Sequence, residues 1–189
     1  MSRSYRIRIS ESLERHIEVA DGLRSKLEIL EVLPPEQTAE LLAAELDAAG
    51  FELCEDDGQW TRVDKDGVEV RVDPREGTVD ILVAAEEQLA LEREREISVW
   101  AENDAGGRQR GERALRAELE GQVEAREQRL QTKVTKKLEG KLGDLRRELD
   151  QIGNKVTVEA LKRKAASMGE IQEISEDPET GSLTIRVKI

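Results

Sequence analysis

The sequence predicts an α+β protein: two small helix/β-hairpin units with mainly antiparallel sheet, joined by a long interrupted helical, coiled-coil-like spacer. Three observations predict it. Asp73-Pro74-Arg75-Glu76-Gly77 is matched by Asp177-Pro178-Glu179-Thr180-Gly181, and each copy leads into a hydroxyl residue and then apolar residues at alternate positions. A helix-like run that stops at a glycine precedes each copy, Thr38 to Ala49 before Gly50 and Val156 to Met168 before Gly169. Between the copies lies a stretch dense in Glu and Arg that carries an apolar stripe at helical spacing. The expected organisation is an acidic α+β unit over 1–83, a helical spacer over 84–153 with a break near 103–111, and a helix plus β-hairpin unit over 154–189.

From the amino terminus, Tyr5, Ile7 and Ile9 alternate with Arg6, Arg8 and Ser10, the period-two pattern of a half-buried strand. His16 to Val19 and Leu23 to Leu30 flank Ala20-Asp21-Gly22, which reads as a hairpin turn. Leu33-Pro34-Pro35-Glu36 opens a helix. Proline is tolerated in a first turn whose amides lack intrahelical partners, and an acid suits the positive helix end. Ala39, Leu42, Leu46 and Ala49 form its buried stripe, and Gly50 ends it before a strand at Phe51 and Leu53. Further strands are expected at Gln59 to Val63, Val68 to Asp73 and Thr78 to Val83. The repeated turn has a physical basis: proline fixes φ, the aspartate hydrogen-bonds forward to the backbone, and the glycine accepts the positive φ that returns the chain. Two such turns, each behind a glycine-terminated helix, suggest an internal duplication; convergence on a good hairpin turn is the plainer alternative.

Ala84 to Glu102 is rich in glutamate and arginine and reads as a solvated helix leaving the sheet. Paired glycines in a helix interior cost about 2 kcal/mol relative to alanine, so Asn103 to Gly107 is expected as a turn or hinge. The helix resumes near Gly111. Its stripe is Leu115, Leu119, Val123, Leu130, Val134, Leu138, Leu142, Leu145, Leu149 and Ile152, a regular heptad from Leu138 onward. Burying one Leu or Val is worth roughly 1.5–3 kcal/mol, while ordering each residue costs about 1–2 kcal/mol. Something must therefore cover the stripe. The leg from Ala85 to Glu102 folding back would cover part of it, and the rest would dimerise or receive a helix from another protein. A solvated single helix held by Glu/Arg pairs is the competing reading, and Gly121, Gly140 and Gly143 weaken that helix. These ten stripe residues are the candidate partner-binding positions.

Composition restricts the function classes. Hydrophobic residues make up 37% and charged residues 38%, which leaves much of the chain against solvent. Aromatics are 2%, so the stacking platforms of many nucleic-acid binders are nearly missing. Of the formal charge of −12, residues 1–83 hold 20 acidic against 10 basic side chains. That excess repels phosphate and anionic lipid and suits a basic protein partner or plain solubility. Lys133, Lys136, Lys137 and Lys141 form a basic patch best read as intrahelical pairing. One cysteine, Cys54, excludes an intramolecular disulfide and a cysteine-rich zinc site. No signal peptide or membrane span is legible, and a cytoplasmic location is expected.

Chemistry has little material here. His16 is the single histidine and has no nucleophile motif beside it. Gly106 to Gly111 lacks phosphate-loop spacing. Glu55-Asp56-Asp57-Gly58 and Asp64-Lys65-Asp66-Gly67 resemble calcium ligands superficially, but they read as hairpin tips. A non-enzyme without cofactor or metal is expected.

The opening Ser4 to Leu13, the Leu33-Pro34-Pro35-Glu36 helix that ends at Ala48-Ala49-Gly50-Phe51-Glu52, and the closing Asn154 to Ile189 resemble accessory proteins of bacterial ternary systems. Those are encoded beside an FtsH-like or MoxR-like AAA+ ATPase and a von Willebrand A protein, and are thought to act in conflict or defence. The resemblance covers the two ends and transfers no functional residue. It implies a non-catalytic adaptor that binds the ATPase or the von Willebrand A protein. The alternative carried beside it is a self-assembling structural homodimer built on the stripe.

Overall fold

The structure, a computed structural model, describes residues 5–100, 104–176 and 183–188. In chain order its elements are β1 (Tyr5–Lys26), α1 (Pro35–Ala48), β2 (Glu52–Leu53), β3 (Trp60–Val63), β4 (Val68–Asp73), β5 (Thr78–Val99), α2 (Ala105–Met168), β6 (Glu170–Glu176) and β7 (Leu183–Lys188). The first five strands form a mainly antiparallel sheet of order β1-β5-β4-β3-β2, and β6 pairs with β7. Two compact units emerge, one of residues 1–21 and 84–137, the other of residues 22–83 and 138–189. The strands β1 and β5 and the helix α2 each contribute to both.

In the first unit, β1 and β5 form a ribbon with two unlike faces. Arg8 lies near Glu94 and Glu96, and His16 lies near Glu86, so residue numbers rise on one strand as they fall on the other. Those side chains occupy the even-numbered, exposed face. The odd-numbered face carries Ile9, Ile17, Val19 and Val99, all buried, and α2 lies against it. A Cβ at Gly111 would stand 2.8 Å from the terminal methyls of both Ile9 and Ile97. Polar ties frame the apolar contact. Arg126 donates to both carboxylate oxygens of Glu87 at 2.9 and 3.0 Å, Arg95 donates to Glu118 at 2.7 Å, and the Thr135 hydroxyl donates to Asp21 at 2.6 Å.

In the second unit, Val68, Val70 and Val72 of β4 stand directly opposite Val83, Ile81 and Val79 of β5. All six are buried on one face. Leu41, Leu42 and Leu46 of α1, Phe51, and Leu145, Leu149, Ile152, Val156 and Ala160 of α2 complete this core. The opposite face is charged: Arg71 pairs with Glu69 at 2.7 Å, and Arg24 donates to both oxygens of Asp80 at 2.6 and 2.7 Å. The turn Asp73 to Gly77 has the expected form. Asp73 accepts from the amides of Arg75 and Glu76, the Gly77 amide donates to the Asp73 carbonyl at 2.8 Å, and Gly77 has φ 65°. The second D-P-x-x-G, residues 177–181, lies outside the described residues.

Three expectations are corrected. Residues 84–99 are strand, not helix: their Ala, Glu, Gln, Leu and Arg favour helix weakly, and pairing with β1 outweighs that preference. Ala20-Asp21-Gly22 makes no hairpin, because β1 runs straight through it. Gly22 serves a close approach instead, since a Cβ there would stand 2.8 Å from the Ile81 carbonyl oxygen. The helix expected to resume near Gly111 begins already at Ala105 and continues without interruption to Met168, while residue 103 of the expected break lies outside the described residues. Asp104 accepts from the Gly107 amide at 2.8 Å, satisfying a donor of the first turn. Both glycines sit where the helix begins, so the cost assigned to a helix interior does not arise.

Candidate interaction surface

The stripe that the sequence offers to a partner is largely covered within the chain. Leu115, Leu119 and Val134 are buried in the first unit, and Leu138, Leu145, Leu149 and Ile152 in the second. Val123, Leu130 and Leu142 are half-buried. Leu142 and Leu149 also border a groove of about 430 Å³ in the second unit, together with Leu23, Leu27 and Ile81. A partner helix reaches the covered positions only if the packing of each unit opens.

The least exposed Arg–carboxylate pair among the described residues was not legible from sequence. Register places Arg62 directly opposite Val70, hence on the core-facing side of β3. Its guanidinium donates to both oxygens of Glu148 at 2.7 Å and to the Ala49 carbonyl at 3.0 Å, and lies 4.4 Å from the centre of the Phe51 ring. The fork of donors matches the carboxylate. These bonds hold the Glu148 carboxyl below its ordinary range, against partial desolvation, and raise Arg62.

Beside it, the β3–β4 turn uses both of its acids. Asp64 accepts from the amides of Asp66 and Val68 at 2.7 and 2.9 Å. Lys141 of α2 reaches Asp64 at 3.0 Å and also contacts Asp66. Desolvation opposes ionisation of Asp64, but the Val68 amide, Lys141 and the Asp66 amide outweigh it and lower its proton affinity. Lys141 is raised by Asp66 and then Asp64. What resembled a calcium loop is an internal ion pair between the turn and the helix. Among the described residues no group of three or more His, Cys, Asp and Glu is placed to hold a metal ion.

A second groove, of about 820 Å³, runs along α1 beside the β2–β3 edge of the sheet. Ala39 and Ala43 line one wall, Leu53 and Trp60 the other, and Glu36 and Glu40 stand at its rim. Leu53 pairs with Trp60, Trp60 with Val72, and Val72 with Val79, so one cross-strand row runs from the core to the edge. Exposure along that row is 1% at Val79 and 0% at Val72, but 53% at Leu53. The core face therefore continues past what the helices cover.

These features accompany one match. The family model of the FtsH ternary system domain X5 matches residues 1–189. The chain belongs to that family. Its X5 membership spans the entire sequence, the middle as well as the two ends that carried the resemblance. Comparison with curated proteins and with solved structures finds no match. No helix among the described residues of this X5 chain is long and apolar enough to cross a membrane.

Proposed function

We propose that the chain is a non-catalytic adaptor subunit that mediates protein–protein interaction in an ATPase-centred bacterial complex. The observation that carries this reading is the match of all 189 residues to a component of an FtsH ternary system, which implies protein partners. The partners proposed are the AAA+ ATPase or the von Willebrand A protein of such a system, and a conflict or defence role follows from the same resemblance.

The side-chain chemistry accords with it. The least exposed ion pairs among the described residues, Arg62 with Glu148 and Lys141 with Asp64, are engaged with one another across the second unit rather than converging on an open cleft. Such pairing holds elements together. The test is affinity purification of the tagged chain from its native cells, with mass spectrometry of what survives a salt wash. Stoichiometric recovery of the ATPase or the von Willebrand A protein is expected. Recovery of untagged copies of the chain alone would overturn the reading.

A further inference from the structure

We propose that the groove between α1 and the β2–β3 edge docks a basic, apolar segment of a protein partner; this names the surface behind the adaptor reading and rests on it. Two independent observations converge there. The first is the uncovered end of the core face. Leu53 is 53% exposed although it lies in the row whose inner members, Val72 and Val79, are at most 1% exposed. Ala39 and Ala43 keep the opposite wall low, leaving about 820 Å³ between helix and sheet edge. An apolar side chain inserted there extends the row Val79, Val72, Trp60, Leu53 by one more place.

The second observation is charge. From residue 27 to residue 61 the chain carries ten Asp and Glu and no Lys, Arg or His. This segment supplies α1, β2 and the start of β3. Glu36 and Glu40 line the groove itself, and Arg75 is the one cation on its wall. A rim of that sign attracts lysine and arginine flanking the inserted side chain, and it repels nucleic-acid phosphates, anionic lipid and acidic peptides. A second copy of the chain would bring two acidic rims together. Strand addition offers little, because β2 has only two residues for a ladder.

The experiment uses the full chain carrying Trp100→Phe, which leaves Trp60 as its single indole. Three synthetic peptides are titrated while Trp60 emission is read: Lys-Arg-Leu-Leu-Lys-Arg, its acidic counterpart Glu-Asp-Leu-Leu-Glu-Asp, and Lys-Arg-Ser-Ser-Lys-Arg without the apolar pair. Saturable change is expected with the first alone, weakening as salt is raised. Leu53→Asp is expected to reduce that affinity at least tenfold, and Glu36→Lys with Glu40→Lys, on exposed positions, to transfer preference to the acidic peptide. Equal response to all three peptides, no response, or no effect of either variant would overturn the groove proposal. Loss of a concentration-dependent dimer on Leu53→Asp would assign the groove to a second copy and overturn it as well. In the native-cell purification, a Leu53→Asp chain that keeps every partner of the unaltered chain defeats the groove and leaves the adaptor reading standing. An unaltered chain that recovers only itself defeats the adaptor reading, while the titration still decides what the groove accepts.

Discussion

Arg62 and Glu148, 86 residues apart, form a two-pronged ion pair at 2.7 Å on each prong, and the same guanidinium reaches the Ala49 carbonyl and the Phe51 ring. One side chain thus ties β3 to both helices of its unit. Arg62 is 24% exposed and Glu148 39%, so solvent screens the pair in part. Glu148→Ala leaves a half-buried cation without its carboxylate and is expected to cost about 1–2 kcal/mol after that discount. Arg62→Lys forfeits the fork and should cost a comparable amount. Urea denaturation of Arg62→Ala, of Glu148→Ala and of the double variant Arg62→Ala/Glu148→Ala gives the coupling. Strictly additive losses would show that the pair does not act as one.

Acid should weaken the fold for a related reason. Glu148 is held below its ordinary range by Arg62, Asp80 by Arg24 and Glu87 by Arg126. Each therefore releases its proton more readily in the folded chain than in the unfolded one. The unfolded chain binds more protons across and below the ordinary carboxylate range near about pH 4, so the contribution is full above that range. It is lost as the pH falls through the lowered values. Thermal melts should be level from neutrality to about pH 5 and then decline. Glu148→Gln should flatten that decline; a slope unchanged by the substitution would show that the Arg62 contact does not hold the carboxyl down.

How far the sequence revealed this fold depends on whether local and tertiary preferences agree. They agree at α1 and at Asp73 to Gly77, where proline, acid and glycine each favour the conformation the unit needs, and both were legible. They disagree along 84–99. Leu89, Leu91, Ile97 and Val99 do alternate, but Arg93 and Arg95 interrupt the alternation among helix-forming neighbours. Arg95 is there to pair with Glu118 of α2, a partner no local pattern announces. On β3 the polarity is inverted: Val63 is 64% exposed while Arg62 turns toward the core. Alternation read by hydrophobicity would place Val63 inside, and nothing local connects Arg62 to Glu148. The groove was hidden similarly, since Leu53 and Trp60 look like ordinary strand residues until register shows which end of the row stays open.

The glycines of α2 should divide sharply under substitution. Gly111→Val drives a branched side chain into Ile9 and Ile97, whose methyls already lie 2.8 Å from an added Cβ, and should cost about 1–3 kcal/mol. Gly140 and Gly143 face open space, with nothing within 4 Å of an added Cβ. Alanine at either removes backbone entropy from the unfolded chain and should stabilise by about 0.5–1 kcal/mol. Chemical denaturation of the three variants checks the division. Destabilisation by Gly140→Ala would show that the helix needs a glycine there for a reason other than space.

Substitutions along the apolar stripe discriminate most directly between a stripe used for folding and one used for association. Leu119 is 1% exposed and Leu149 7% exposed within a single chain. Their truncation to alanine removes buried methyl groups and leaves cavities, at about 2–5 kcal/mol each. A stripe that served mainly to join two chains would respond differently, with the folded monomer retained and the associated mass lost. The expected outcome is therefore a lowered unfolding midpoint for Leu119→Ala and for Leu149→Ala, independent of protein concentration, with no change in light-scattering mass before unfolding. A midpoint that rises with concentration in the unaltered chain, and a drop to monomer mass in either variant without loss of stability, would return the stripe to a partner.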